Sequence, residues 1–179
     1  GKSSVSKEVA RHFGLAYLDT GAMYRAATYR VLQLDIDLAD QDAIGKAVRE
    51  MPLVFGTNIK EEEILMGTTD IREEIRTERI SGAVSAVASV PAVREYLIEL
   101  QRWTINHAVN GIVAEGRDIT TVVAPDSPDF SVFSSPRRAM RTSSDAVSSM
   151  RASASGATTV VISRPSATIP LTAWLIVQR

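Results

Sequence analysis

The chain contains no cysteine. Disulfides, zinc–thiolate centres and cysteine nucleophiles are therefore excluded. Its two histidines, His12 and His107, have no metal-ligand spacing to any partner, and surface or packing roles are expected for them. No Ser-His-Asp order is present. No stretch is long and apolar enough to span a bilayer, and no signal peptide is visible, so a cytoplasmic location and no membrane partner are expected. Net charge is nearly absent too: 20 Lys and Arg stand against 21 Asp and Glu, a formal −1. There is no global basic field for nucleic acid, and an anionic ligand would have to be held by local arginines and lysines. Lysine disappears after Lys60 and glutamate after Glu115. From Ser127 onward the chain is rich in Ser, Ala, Thr and Arg, which leaves two readings: a poorly ordered segment, or a stretch altered by a shifted reading frame or splice. No site is placed in 129–179.

What is present is ordinary for a globular protein. Of 179 residues, 45% are hydrophobic and 23% charged, enough for one domain or one domain with a small insertion. Residues 2–13 read as a helix with Val5, Val9, Ala10 and Phe13 on one face, ended by Gly14. Leu15–Leu18 is a short apolar run. Asp19-Thr20-Gly21 is a turn and cap signal, and helical character resumes over 22–33. Asp40–Met51 is amphipathic, with Ile44, Ala47, Val48 and Met51 in phase, and Pro52 ends it. Two apolar runs around a polar turn in 53–67 predict a hairpin. Thr77–Ser89 is helical, with Ile80, Val84 and Val87 spaced for one face. Pro91 suits the first turn of the next helix, which carries Val93, Leu97 and Leu100. Gly111–Glu115 (GIVAE) is a short buried strand, and Ser131–Phe133 reads as another. Alternating helices and strands around a hairpin-plus-helix insertion predict an α/β fold, a parallel sheet with a small inserted subdomain. Trp103 and Trp174 are expected to pack rather than to stack on a ligand.

Three segments could carry chemistry. Gly1-Lys2-Ser3-Ser4 precedes a good helix and looks like the last part of a phosphate-binding loop, G-x-x-x-x-G-K-[ST]. Backbone N–H groups and a helix N-terminus bind phosphate oxygens there, the lysine reaches the β/γ-phosphates and the hydroxyl serves Mg²⁺. A helix start capped by serine is the alternative. Leu18-Asp19-Thr20-Gly21-Ala22-Met23-Tyr24-Arg25 sets a hydroxyl and a glycine at a helix start with an arginine one turn on, and arginine offers phosphate a bidentate fork. On local physics alone, a capped surface helix with a solvated Arg25 is the favoured reading. Glu115-Gly116-Arg117-Asp118 follows an apolar strand, where ligands sit in open parallel sheets; a local Arg–Asp pair in a turn is its alternative. Arg72, Arg76, Arg79 and Arg94 are scattered over the insertion. Arg76 and Arg79, near Glu73 and Glu74, read as a solvated charged face.

Together these segments resemble the bacterial cytidylate kinases, members of the nucleoside monophosphate kinases. GKSS is followed at the right distance by LDTGAMYR, then by DIREEIRTERISGAVSAVASVPAVREYLIELQR and GIVAEGRDITTVVAPDSP. The resemblance covers roughly residues 1–128, with an echo of the family's lid in Arg138-Ala139-Met140-Arg141. It implies a P-loop kinase core over 1–52 and 109–179, and an inserted nucleoside monophosphate-binding subdomain over 53–108. It implies transfer of a phosphoryl group from ATP to CMP or dCMP, with Mg²⁺ as cofactor, by a monomer. Gly1, Lys2, Ser3 and Ser4 would lie at the ATP phosphates, with Lys2 on the transferring phosphate and Ser3 on the metal. Thr20 would lie near the acceptor nucleotide. Arg25 and Arg117 would bind the CMP phosphate and assist transfer. Ser85, Arg94 and Asp118 match positions that recognise cytosine, and Arg76 matches an arginine of the CMP-binding insertion.

The chain departs from the family at both ends. The strand and first glycines of the loop do not precede Gly1. After Asp129 the only acidic residue is Asp145, so the family's R-D-x-x-D-x-x-R segment has no counterpart. The expectation is weak nucleotide binding and poor turnover, with a non-catalytic remnant or nucleotide-binding fragment as the alternative. Another small P-loop kinase, for shikimate or gluconate, is disfavoured by the long insertion before G-R-D.

Overall fold

The computed structural model describes residues 2–60, 63–117, 119–123, 130–133 and 158–162. The chain divides into two compact units. The first gathers residues up to Asp19 and from Arg102 onward, and the second is Thr20–Gln101.

In the first unit, helix α1 (Lys2–Phe13) ends where expected. Gly14 takes φ +63°, a left-handed conformation that glycine adopts without Cβ strain. Its N–H reaches the Arg11 carbonyl at 3.4 Å, and the Leu15 N–H reaches that of Ala10 at 2.9 Å. That pair of bonds satisfies carbonyls a helix end would otherwise strand. The chain then enters strand β1 (Ala16–Asp19). Later in sequence comes the strand Ile112–Gly116, which pairs in parallel with β1 from Ala16↔Ile112 to Asp19↔Glu115. Ile112, Val113 and Ala114 are fully buried, as a strand covered on both faces requires. Val9 and Ala10 of α1 are buried as well, while Phe13 is half-buried.

The second unit begins with α2 (Thr20–Gln33), two residues earlier than the periodicity suggests. Helix α3 (Gln41–Arg49) is capped by Asp40, whose carboxylate accepts the Ala43 N–H at 2.9 Å. Such a cap satisfies one of the helix's orphan donors. Its predicted face is its buried face: Ile44, Ala47, Val48 and, just beyond the helix, Met51. The hairpin forms from β2 (Leu53–Phe55) and β3 (Ile64–Met66), antiparallel from Leu53↔Met66 to Phe55↔Ile64. A third strand, β4 (Thr69–Asp70), follows through Gly67-Thr68. Gly67 takes φ +65°, which glycine supplies at the first central position of a two-residue hairpin turn. A 3₁₀ turn (Glu74–Arg76) leads into α4 (Glu78–Ser89). Helix α5 (Pro91–His107) starts on its proline and continues past Gln101. Ile80 and Val87 of α4 and Val93 and Leu97 of α5 are buried; Val84 and Leu100 are only half-buried.

Numbering onward, Ile112–Gly116 is β5, Phe130–Phe133 is β6 and Thr158–Ile162 is β7. The four-stranded sheet of the first unit runs β1-β5-β7-β6. Only β1 and β5 are parallel in it. Strand β7 is antiparallel to both β5 and β6, so the sheet is mixed around a parallel pair rather than parallel throughout. The missed signal is local: Thr158-Thr159-Val160-Val161-Ile162 is an unbroken β-branched run, which fits a pleated surface. The composition of the surrounding stretch concealed it.

Trp103 packs within its own helix rather than in the core. It is 59% exposed and stacks on His107 one helical turn away, with ring centroids 4.1 Å apart. Trp174 lies outside the described residues. Among the described residues no helix is long and apolar enough to cross a membrane.

Candidate functional site

The first unit places its candidates at the end of the parallel pair and at the start of α1. Asp19 and Glu115 stand opposite each other at the carboxyl ends of β1 and β5, the edge where open α/β sheets take ligands. Arg117 follows β5 by one residue and is exposed. Gly1 and Asp118 lie outside the described residues. Lys2, Ser3 and Ser4 occupy the first turn of α1, where unpaired backbone N–H groups and the helix dipole favour an anion.

Two interactions organise this end of the first unit. Tyr17 of β1 donates its hydroxyl proton to Glu115 Oε2 of β5 at 3.1 Å. The two residues share a face because Tyr17 stands opposite Val113 and strand side chains repeat every second residue. The Lys7 ammonium sits 5.6 Å from the centre of the Tyr17 ring, within cation–π range. Beyond Arg117, a π-helical turn (Ile119–Val123) is fastened by Arg102 of α5. The Arg102 guanidinium donates to the carbonyls of Val122, at 2.6 Å, and Val123, at 3.2 Å.

The second unit assembles its candidates from four elements. Thr20 opens α2 and is buried. Arg25, in the second turn of α2, is not a solvated surface arginine, which corrects the local reading. It is half-buried, and its Nη1 donates to Ser81 Oγ of α4 at 2.8 Å and to the Ile75 carbonyl of the 3₁₀ turn at 3.3 Å. Arg76 is the next residue after that carbonyl and is exposed, as are Glu73, Glu74 and Arg79. Ser85 lies one turn beyond Ser81 on the same face of α4, and four-residue spacing makes them neighbours; it too is exposed. Arg94 lies in the first turn of α5, half-buried. Arg25, Arg76 and Ser85 are thus gathered around the junction of α2, the 3₁₀ turn and α4.

Sequence reasoning missed Ser81 and the Ile75 carbonyl. They stand 56 and 50 residues from Arg25, and no local pattern announces such a contact. It also missed the fork between Arg72 and Asp70. Arg72 Nε and Nη2 embrace the Asp70 carboxylate, with Nη2–Oδ2 at 2.6 Å, and the Arg72 N–H donates to Oδ1 at 3.0 Å. The Arg72 side chain, and next its backbone N–H, hold the Asp70 carboxyl below its ordinary pKa. No cluster of three or more His, Cys, Asp or Glu that could hold a metal ion occurs among the described residues. A metal held mainly by nucleotide phosphates and water needs only one or two oxygen donors from protein, and a serine hydroxyl at a helix start is a donor of that kind.

Comparison with known proteins agrees with the motifs. The cytidylate kinase family pattern matches residues 1–162. The chain is 53% identical over 127 residues to a cytidylate kinase of Rhodococcus opacus, covering 71% of this chain and 55% of that protein. It is 48% identical over 143 residues to one from Nocardia farcinica, covering 79% and 61%. A cytidylate kinase of Streptococcus mutans matches at 44% over 129 residues, covering 71% and 56%. The chain therefore spans a little over half the length of the curated relatives it matches. With its pattern matched along nine-tenths of its residues, the chain belongs to the cytidylate kinase family.

Proposed function

We propose that the protein transfers the γ-phosphoryl group of ATP to the phosphate of CMP or dCMP. An oxygen of the acceptor phosphate forms a new bond to the γ-phosphorus, the bond to the β,γ-bridging oxygen breaks, and ADP and CDP or dCDP leave. Such transfer asks little covalent chemistry of a protein. It asks for in-line placement and positive charge around the equatorial oxygens. Lys2 and the first turn of α1, with Gly1 and Ser4, take the donor's phosphates; Arg25 and Arg117 take the acceptor's phosphate. Thr20, Arg76, Ser85, Arg94 and Asp118 take the rest of the CMP, the polar edge of cytosine included. An unmatched buried polar edge loses about 1–3 kcal/mol, which is how a closed site rejects other bases. Ser3 is the residue that would hold Mg²⁺, which when bound neutralises charge on the phosphates. In this reading residues 53–108 are the acceptor subdomain, 1–52 and 109–179 the kinase core, and the protein acts as a monomer.

One observation carries the reading. Arg25, from LDTGAMYR, is half-buried and hydrogen-bonded by the segment that also bears Arg76 and Ser85. Arg76 and Ser85, which the motifs also single out, belong to the two elements that hold Arg25.

A second reading has its own observation. Residues 129–179 contain no R-D-x-x-D-x-x-R pattern to hold ribose and phosphates. For the 179-residue chain by itself we therefore expect weak nucleotide binding and slow turnover, a nucleotide-binding fragment at the limit. A coupled assay with CMP, dCMP, UMP and AMP tests both. Preference for CMP and dCMP supports the assignment, and preference for UMP or AMP rejects it. A rate equal to that of a full-length relative rejects the impairment.

A further inference from the structure

We propose that Ser81 is a positioning residue: its hydroxyl holds the Arg25 guanidinium in the orientation that presents a two-pronged edge to the acceptor's phosphate. This rests on Arg25 as a phosphate ligand, and the experiment below separates the two.

A guanidinium carries five N–H donors in one plane, two of them on Nη1. Both acceptors seen here, Ser81 Oγ at 2.8 Å and the Ile75 carbonyl at 3.3 Å, are taken by Nη1. With each hydrogen of Nη1 directed at its own oxygen, rotation of the plane is stopped. The Nε and Nη2 donors make no hydrogen bond to the described residues. That edge is the one that forms paired, parallel bonds to a phosphate or carboxylate. Removing the Ser81 hydroxyl leaves only the longer bond to Ile75, and the plane can turn away from the phosphate.

Ser81 has little else to do. It lies on an exposed face in the first turns of α4, and alanine is the better helix former there. A purely structural role therefore predicts a Ser81→Ala variant as stable as the parent, with unchanged ligand affinity. Positioning predicts a stable variant that has lost affinity only for ligands carrying the phosphate.

The test is calorimetric titration of the 179-residue chain with CMP and with cytidine, for the parent, Ser81→Ala, Ser81→Thr, Arg25→Ala and the Arg25→Ala/Ser81→Ala double variant. Expected is an approximately fivefold to tenfold weaker CMP affinity in Ser81→Ala, the scale of an ordinary intramolecular hydrogen bond. Cytidine affinity is unchanged, Ser81→Thr restores CMP binding, and Ser81→Ala adds no loss once Arg25 is gone. If Ser81→Ala binds CMP as the parent does while Arg25→Ala does not, the positioning role falls and Arg25 as ligand stands. Equal loss for CMP and cytidine, or a full further loss in the double variant, also overturns positioning. If the parent holds CMP no better than cytidine, or Arg25→Ala matches the parent, the phosphate role of Arg25 falls and takes the inference with it.

Discussion

On the proposed reading, the two units meet phosphate in different ways. In the first, the candidates sit in two short local segments: Lys2, Ser3 and Ser4 on one helical turn, and Arg117 just beyond β5. Their means are largely backbone, namely a helix start and the carboxyl ends of two parallel strands. In the second, Arg25, Ile75, Ser81 and Ser85 come from three elements across some sixty residues of chain. Their means are side chains that must be held in place by other side chains. A backbone site needs only the right local conformation. A side-chain site needs the whole unit folded first, and it fails wherever a supporting contact fails.

That contrast can be broken by substitution. The largest effect is expected from Lys2→Ala, which lowers turnover by about a hundredfold, the scale for losing a transition-state charge partner, while CMP affinity stays within about twofold. Stopped-flow phosphoryl transfer and titration, run side by side, check this. Arg25→Ala should do the reverse, weakening CMP by about thirtyfold with ATP affinity little changed. Equal losses of both ligands in either variant would erase the distinction between the units.

Stability gives smaller, sharper tests. Gly45 of α3 is buried, and a Cβ there would lie 2.9 Å from that of Ala92 in α5. Gly45→Ala should therefore lose about 2 kcal/mol in urea unfolding through overpacking, although alanine is the better helix former. Gly14→Ala strains the left-handed end of α1 and should lose about 1 kcal/mol, a loss belonging to the first unit. Hydrogen exchange shows which amides each variant loosens. Asp70→Asn is the mildest change, because its pair with Arg72 is solvent-exposed. The folded carboxyl titrates below its ordinary range, so its contribution is present above the unfolded pKa and disappears as pH falls through the folded one. The melting-temperature gap between parent and variant should be small at neutral pH and close in acid.

Legibility follows the same division. The buried face of helix α3 could be read, because its apolar stripe and the following proline lie close together, although the helix stops two residues before Met51 and Asp40 is its cap. The stop at Gly14 and the hairpin at 53–67 were equally local. Arg25 could be nominated by its motif, yet its hydrogen bonds could not, since both partners arrive from beyond the hairpin. That Trp103 would pack could be expected, but not that its partner would be His107 on an exposed face of α5. Strand β7 had its β-branched signal, but pairing with β5 is a long-range event. Asp118 and Gly1 fall outside the described residues, so their part in the reading rests on the motifs.

The close approach of Gly45 to Ala92 has a consequence for how this protein can vary. Neither position has a free choice of size, because the space is a shared volume filled by one methyl group. A methyl may be moved across the helix contact, as in Gly45→Ala with Ala92→Gly, but not added. The two sites should drift through sequence space as a pair, the loss at one being the licence for a gain at the other.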